Sequence, residues 1–348
     1  MHSWCPNLIY RSNYLPITNQ KSLSGNVLDY CMVDASSSNK YVIFDAHLHD
    51  VDFIQQTAGF YTFLRQMDLA RVEKCVIFGL PVSKQWPEWE NEEPHYYLAD
   101  ECRCYYYSLT DAIIAQAYMG LNADNRNRFI PLICGFSPVD RYAIKHVERM
   151  VSLYPGVFKG IGEILCRHDD LSNLTYGQPA RVNHKALFPI FDFAGQHQLP
   201  VLVHQNATSV GRSNQLSYID EITEMLERFP NTTLVWAHCG VSRRVKIERL
   251  HEVIDRLLSE YNNLYVDYSW LVFDNYICPN GQPSDNWLEV TEKHSHRICL
   301  GSDIFCEFEN LSEKLGRYTP FLDCLSNETR DNVCTKTASQ LYASVFAV

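Results

Sequence analysis

No run of about 18 consecutive apolar residues occurs in this 348-residue chain, so no membrane-spanning helix is expected. An excess of positive charge is also missing. Lys and Arg number 30 against 41 Asp and Glu, a formal net charge of −11. With no basic run, coating of nucleic acid is not expected, and a membrane surface is not an expected partner. A nuclease that holds phosphate through a metal stays open. No Cys-x-x-Cys pair or zinc-finger spacing occurs. The N-terminal stretch MHSWCPNLIYRSNYLPIT lacks the basic start and continuous apolar core of a secretory signal, so the expected location is cytoplasmic.

What the chain does have is a 46% hydrophobic composition, enough for a full core, and 13 cysteines. Cys75, Cys134 and Cys299 lie inside apolar runs, where a free thiol behaves as a small hydrophobe. Cys102 and Cys104 are too close together for a typical structural pair, so reduced thiols are expected. Length alone suggests two domains, yet α/β barrels routinely exceed about 250 residues as one unit.

Residues 1–40 are polar and end in the Ser-rich stretch Ser36–Lys40, which reads as an N-terminal extension. From Tyr41 to the C-terminus, short β-rich runs alternate with helical periodicity, the pattern of a parallel sheet with crossover helices. Strands are predicted at YVIFDAHLH, KCVIFGL, FIPLICGF, VFKGIGEIL, PVLVHQ, TTLVWAH, NLYVDYS and RICLGSD. Eight such strands predict one α/β domain over 41–348, a (β/α)8 TIM barrel. Helical stripes are expected at Leu216, Ile219, Ile222, Met225, Leu226 and Phe229, and at Ile247, Leu250, Ile254, Leu257 and Leu258. The connection after the second strand, residues 81–128, is a long aromatic-rich insertion. A loop there belongs to the catalytic face and is expected to form a substrate wall, a satellite core or a dimer contact.

His and acidic residues gather where these strands end. His47 and His49 close the first, Glu163 sits late in the fourth, His204 ends the fifth, His238 ends the sixth and Asp303 follows the eighth. Two His at i and i+2 on a strand share a side, and at a barrel strand's end that side is the axis. Taken singly, each residue is as well read as a hydrogen-bonded core residue or a helix cap. Together, six polar groups whose uncompensated burial would be costly point to a metal site. Imidazole and carboxylate donors with an open position suit hydrolytic zinc, manganese or iron.

The segments FDAHLHD, LPVLVHQN, LVWAHCG and CLGSDIF resemble the strand-end motifs of the amidohydrolase superfamily, in particular its amidohydrolase-2 branch. The similarity runs from Tyr41 onward and takes in RFIPLICGFSPVD, NLYVDYSW and TASQLYA. It implies His47, His49 and His204 as metal ligands and Asp303 as ligand and general base. His238 is implied as a second-metal ligand or as a catalytic acid/base residue. Lys159 shares strand parity with Glu163 but lies deeper in the barrel, so Glu163 is the better-placed bridge. That pattern is similar to TatD-type deoxyribonucleases, whereas a site without Glu163 resembles aminocarboxymuconate-semialdehyde decarboxylase.

The resemblance therefore implies a metal-dependent hydrolase that activates water to cleave an ester, lactone or amide bond of a small molecule. A non-oxidative decarboxylase and a TatD-like phosphodiesterase are the alternatives. One or two divalent ions per chain are expected, zinc first, with manganese or iron as alternatives. Arg167, His168, Arg243 and Trp270 are candidate substrate contacts, and Arg244 and Asp274 follow the same strands. Asp45 is a candidate to orient a ligand histidine. Assembly into a homo-oligomer is left open.

Overall fold

The computed structural model describes residues 39–52, 55–81, 107–174, 179–305 and 308–343. The extension 1–40, apart from its last two residues, and 82–106 of the insertion lie outside the described residues, as do Cys102 and Cys104. Parallel strands follow one another around a single sheet: β1 (Ile43–Val51), β2 (Val72–Gly79), β3 (Phe129–Ile133) and β4 (Gly160–Cys166). They continue through β5 (Val201–Gln205), β6 (Leu234–Trp236), β7 (Leu264–Asp267), β8 (Ile298–Cys299) and β9 (Ile304–Phe305). The chain folds as an α/β barrel of the (β/α)8 type.

Nine segments stand where eight strands were expected because the last strand is interrupted. β8 pairs with β7, whereas β9 pairs with β1 through Leu48↔Ile304 and His49↔Phe305. Between them Leu300 accepts from Ala46 N–H at 2.8 Å, and Asp303 N–H donates to the His47 carbonyl at 2.8 Å. The seam that closes the barrel thus runs through three of the candidate site residues.

Two layers of apolar side chains hold the barrel. Phe44, Ala46, Val76, Phe78, Leu132, Leu202, Val235 and Cys299 fill the interior, with Ala338 and Tyr342 of the C-terminal segment packed against them. The outward faces, such as Leu48, Ile77, Ile161 and Val203, pack against the surrounding helices. Helix Ile219–Arg228 buries Ile219, Ile222, Met225 and Leu226, and helix Leu250–Glu260 buries Leu250, Ile254, Leu257 and Leu258. Leu216 departs from its expected stripe: it precedes the helix and is 38% exposed. In the described part of the insertion, helix Thr110–Met119 docks on the sheet. Asp111 there accepts from Cys134 N–H and Gly135 N–H, both at 2.9 Å. No helix among the described residues is long and apolar enough to cross a membrane.

Candidate metal centre

The two histidines of β1 reach the barrel axis by way of a bulge. Phe44 and Ala46 face the interior, and a strict alternation would then send His47 and His49 outward. Between Asp45 and Leu48 the register against β2 gains one residue, from Asp45↔Cys75 to Leu48↔Ile77. The extra residue resets the parity, so Leu48 faces the helices and the imidazoles face inward. β4 repeats the device between Ile161 and Ile164. Gly162 stands there at φ 128°, and a Cβ on it would lie 2.2 Å from the Leu202 carbonyl oxygen. Both isoleucines face the helices and Glu163 faces the axis. The parity expected between Lys159 and Glu163 therefore does not hold, because the bulge lies between them.

His204 belongs to β5. His238 is not on β6 but in the turn after it, at φ 53°, and Asp303 stands between β8 and β9 at φ 53°. Such left-handed backbone costs non-glycine residues about 1–3 kcal/mol each and collects at functional sites.

Each imidazole is held by its outer nitrogen. His47 Nδ1 pairs with Asp267 Oδ2 at 3.0 Å, and His49 Nδ1 meets the Gly79 carbonyl at 3.2 Å. His204 Nε2 meets Asn206 Oδ1 at 3.2 Å, and His238 Nδ1 meets Ser269 Oγ at 2.7 Å. The Ser269 hydroxyl in turn donates to Asp267 Oδ1, so its oxygen accepts from His238. With each outer nitrogen donating its proton, the other nitrogen presents a lone pair to the centre.

Those lone pairs face carboxylates, not donors. Glu163 Oε2 lies 3.7 Å from His47 Nε2 and 3.6 Å from His49 Nε2. Its Oε1 lies 3.5 Å from both His204 Nδ1 and His238 Nε2. Asp303 Oδ1 lies 3.4 Å from His47 Nε2 and 3.2 Å from His49 Nε2, while its Oδ2 is 4.0 Å from His238 Nε2. Most of these separations are too long for hydrogen bonds. They match the edge of about 3.4 Å between ligands of a tetrahedral ion with bonds of 2.0–2.1 Å. His47 Nε2 and Glu163 Oε1 are buried without a hydrogen-bond partner, as ligand atoms awaiting a cation would be.

The charges agree. Burial opposes a charge on His47, but Asp267, Glu163 and Asp303 outweigh it and raise its pKa well above the ordinary value. Burial likewise opposes ionisation of Glu163, yet His47, His204 and His238 hold it well below the carboxylate range. Asp267, buried but paired with His47, is brought down to about 2. The carboxylates thus draw positive charge to the centre, as a proton on His47 or, with the rings deprotonated as metal ligands must be, as a divalent cation in its place.

The centre opens into a cavity of about 70 Å³ lined by Leu80, Leu165, Leu171, Trp270 and Phe305 beside the polar groups. Of the candidate substrate contacts, His168, Arg243 and Trp270 line it. Arg167 does not: its guanidinium pairs with Glu221 at 2.5 and 3.1 Å and stacks on Tyr218, in a neighbouring cleft. Asp274 is paired with Arg317, and Arg244 with Asp169 and Asp170. Asp45 accepts from the backbone N–H groups of His47 and Ser302, so it holds the chain rather than a ring. His168, Asp169 and Asp170 also cluster. His168 Nδ1 accepts from backbone N–H groups and both carboxylates pair with Arg244, so they make a poor metal site.

Sequence reasoning passed over Asp267, Ser269 and Asn206, which orient the ligand rings. Asp267 ends β7 as the other site residues end theirs, and that position was the available signal. Asn206 stands two residues beyond His204, a spacing that keeps strand parity.

Comparison with known proteins yields a family and a fold. The family model Amidohydro_2, described as amidohydrolase, matches residues 158–343, a stretch containing Glu163, His204, His238 and Asp303. No curated protein matches the sequence. An uncharacterized TIM-barrel protein from Bordetella bronchiseptica aligns with a TM-score of 0.54 at 13% identity, over 87% of this chain and 98% of its own. A putative amidohydrolase from Staphylococcus aureus gives 0.52 at 14% identity, over 86% and 100%. A 2,6-dihydroxybenzoate decarboxylase from Rhizobium gives 0.50 at 12% identity, over 86% and 99%. At these identities the likeness speaks for the barrel alone.

Proposed function

The chain belongs to the amidohydrolase family Amidohydro_2, and from that premise we propose that it hydrolyses an ester, lactone or amide bond of a small molecule with a pair of divalent cations. His47, His49 and Asp303 would hold one cation, His204 and His238 the other, with Glu163 between them. The observation that carries this reading is the division of nitrogens about Glu163. Oε2 faces His47 and His49, whereas Oε1 faces His204 and His238 at 3.5 Å. Zinc suits this imidazole and carboxylate donor set.

When bound, such cations polarise a carbonyl oxygen and lower the pKa of water towards about 7. The chain's own groups account for the rest. Asp303 takes the proton of the attacking water and passes it to the leaving group. Of the three carboxylates it is the most exposed, its side chain 12% accessible against 3% for Glu163 and 1% for Asp267. Ser269 and Asp267 keep the His238 ring in one tautomer, its Nε2 lone pair turned inward. Leu80, Leu165 and Phe305 exclude bulk water, and Arg243 meets an anionic group of the substrate at the rim.

Elemental analysis of the purified protein is expected to find about two equivalents of zinc per chain. One equivalent would remove the Glu163 bridge, and none after growth with added zinc would remove the metal. A panel of aryl esters, lactones, phosphodiesters and aromatic carboxylic acids then reads the reaction class. Carbon dioxide release without ester or lactone turnover overturns hydrolysis in favour of decarboxylation. Turnover of phosphodiesters alone overturns it in favour of a nuclease.

A further inference from the structure

The wall of the cavity carries an imidazole that the cation site does not use. His168 follows β4, and its ring lies beside His204 at 4.4 Å between centroids and near-parallel to Trp270 at 6.2 Å. Its Nδ1 accepts from the backbone N–H groups of Asp170 and Leu171, both at 3.1 Å. Two donors aimed at one nitrogen leave that nitrogen no proton of its own, so the neutral ring carries its hydrogen on Nε2. Among the described residues no acceptor meets Nε2, and the ring lines the catalytic cavity. A bound molecule is the natural source of the missing acceptor.

We propose that His168 is a catalytic hydrogen-bond donor, its Nε2–H given to the carbonyl oxygen of the bound ester, lactone or amide. The ligand class is thereby narrowed to molecules that present an acceptor oxygen beside His204. As negative charge grows on that oxygen, a fixed neutral donor stabilises it without being consumed or ionised. No bond to His168 forms or breaks. The assignment rests on the hydrolase reading above.

A bland alternative is that His168 only caps the turn Leu171–Leu174. Asparagine separates the two roles: its side-chain oxygen caps the same turn, but the residue is too short to present a donor to the cavity. His168→Asn is therefore expected to keep its Tm and KM while kcat falls about 100- to 1,000-fold. An unchanged kcat, or a rise in KM alone, overturns the proposal. A second measurement needs neither turnover nor a variant. In the zinc-loaded protein with 15N-labelled histidine, long-range proton–nitrogen NMR reads the His168 tautomer, assigned through its contacts with Trp270. Nε2 is expected to be protonated, and its proton to shift as δ-valerolactam is added. A proton on Nδ1, or a resonance unmoved up to the solubility of the lactam, overturns the donor role. If the wild-type protein turns over no ester, lactone or amide, the hydrolase reading falls by itself and the NMR result still decides His168.

Discussion

Asp267, not named from the sequence, ties together the supports of two candidate ligands. One oxygen holds the His47 ring, and the other accepts from His238 N–H at 3.0 Å and from Ser269. Loss of its charge loosens rings on both sides of Glu163. Asp267→Asn is expected to weaken zinc binding about 10- to 100-fold, the usual effect of removing such a support. Competition with a chromophoric chelator measures it, and unchanged affinity would show that ring orientation is set elsewhere. Asp303 separates holding from chemistry. Asp303→Asn keeps an oxygen for the cation but no longer takes a proton, so turnover should fall about 100- to 10,000-fold while most of the metal stays. Full activity in that variant would remove Asp303 as the base.

At the scale of elements, two bulges and one docked helix do the positioning. Gly162→Ala forces a Cβ to within 2.2 Å of the Leu202 carbonyl at a φ of 128°. Left-handed strain and overpacking each cost about 1–3 kcal/mol, so urea unfolding is expected to show a combined loss of about 2–6 kcal/mol. Because Glu163 is the next residue, zinc content should fall as well. A variant of native stability and full metal content would show that β4 accommodates the side chain. Asp111 tests the insertion. Asp111→Ala strands the N–H groups of Cys134 and Gly135 and removes the partner of His146 Nε2, 2.6 Å away. Each buried unsatisfied donor costs about 1–3 kcal/mol, so stability should drop by a few kcal/mol in the same assay. Zinc affinity should change little, since Asp111 touches no ligand ring.

For the whole molecule, closure of the barrel and occupation of the cation site are one problem. The β8–β9 interruption brings Asp303 beside His47, and Gly301 lets them approach: a Cβ there would sit 2.6 Å from the His47 Cβ. Without a cation, only protons on the rings offset the buried carboxylates across the seam. Chelation is therefore expected to lower the Tm measured by calorimetry, with zinc restoring it. At free zinc of 100 times Kd the recovered stability is about 2.7 kcal/mol. A Tm indifferent to chelator would mean that the imidazoles are protonated in place of holding metal.

The barrel was legible in the chain because strand and helix periods are local properties. Eight β-rich runs separated by helical stripes allow few other folds, and His47-x-His49 announces a shared face over three residues. The bulges were not legible, because a register shift is a relation between two strands. Strict alternation misplaced Lys159 relative to Glu163 for that reason. The partners of Asp267 were hidden too: its two rings come from β1 and from the turn after β6, far away in sequence. Arg167 shows the converse, a charged residue beside the site in sequence whose guanidinium tertiary packing turned towards Glu221. Residue types and their periodicity thus determined the barrel and the donors it carries. Which atoms face one another was decided only when the sheet closed, since direction and distance across a barrel depend on every strand between.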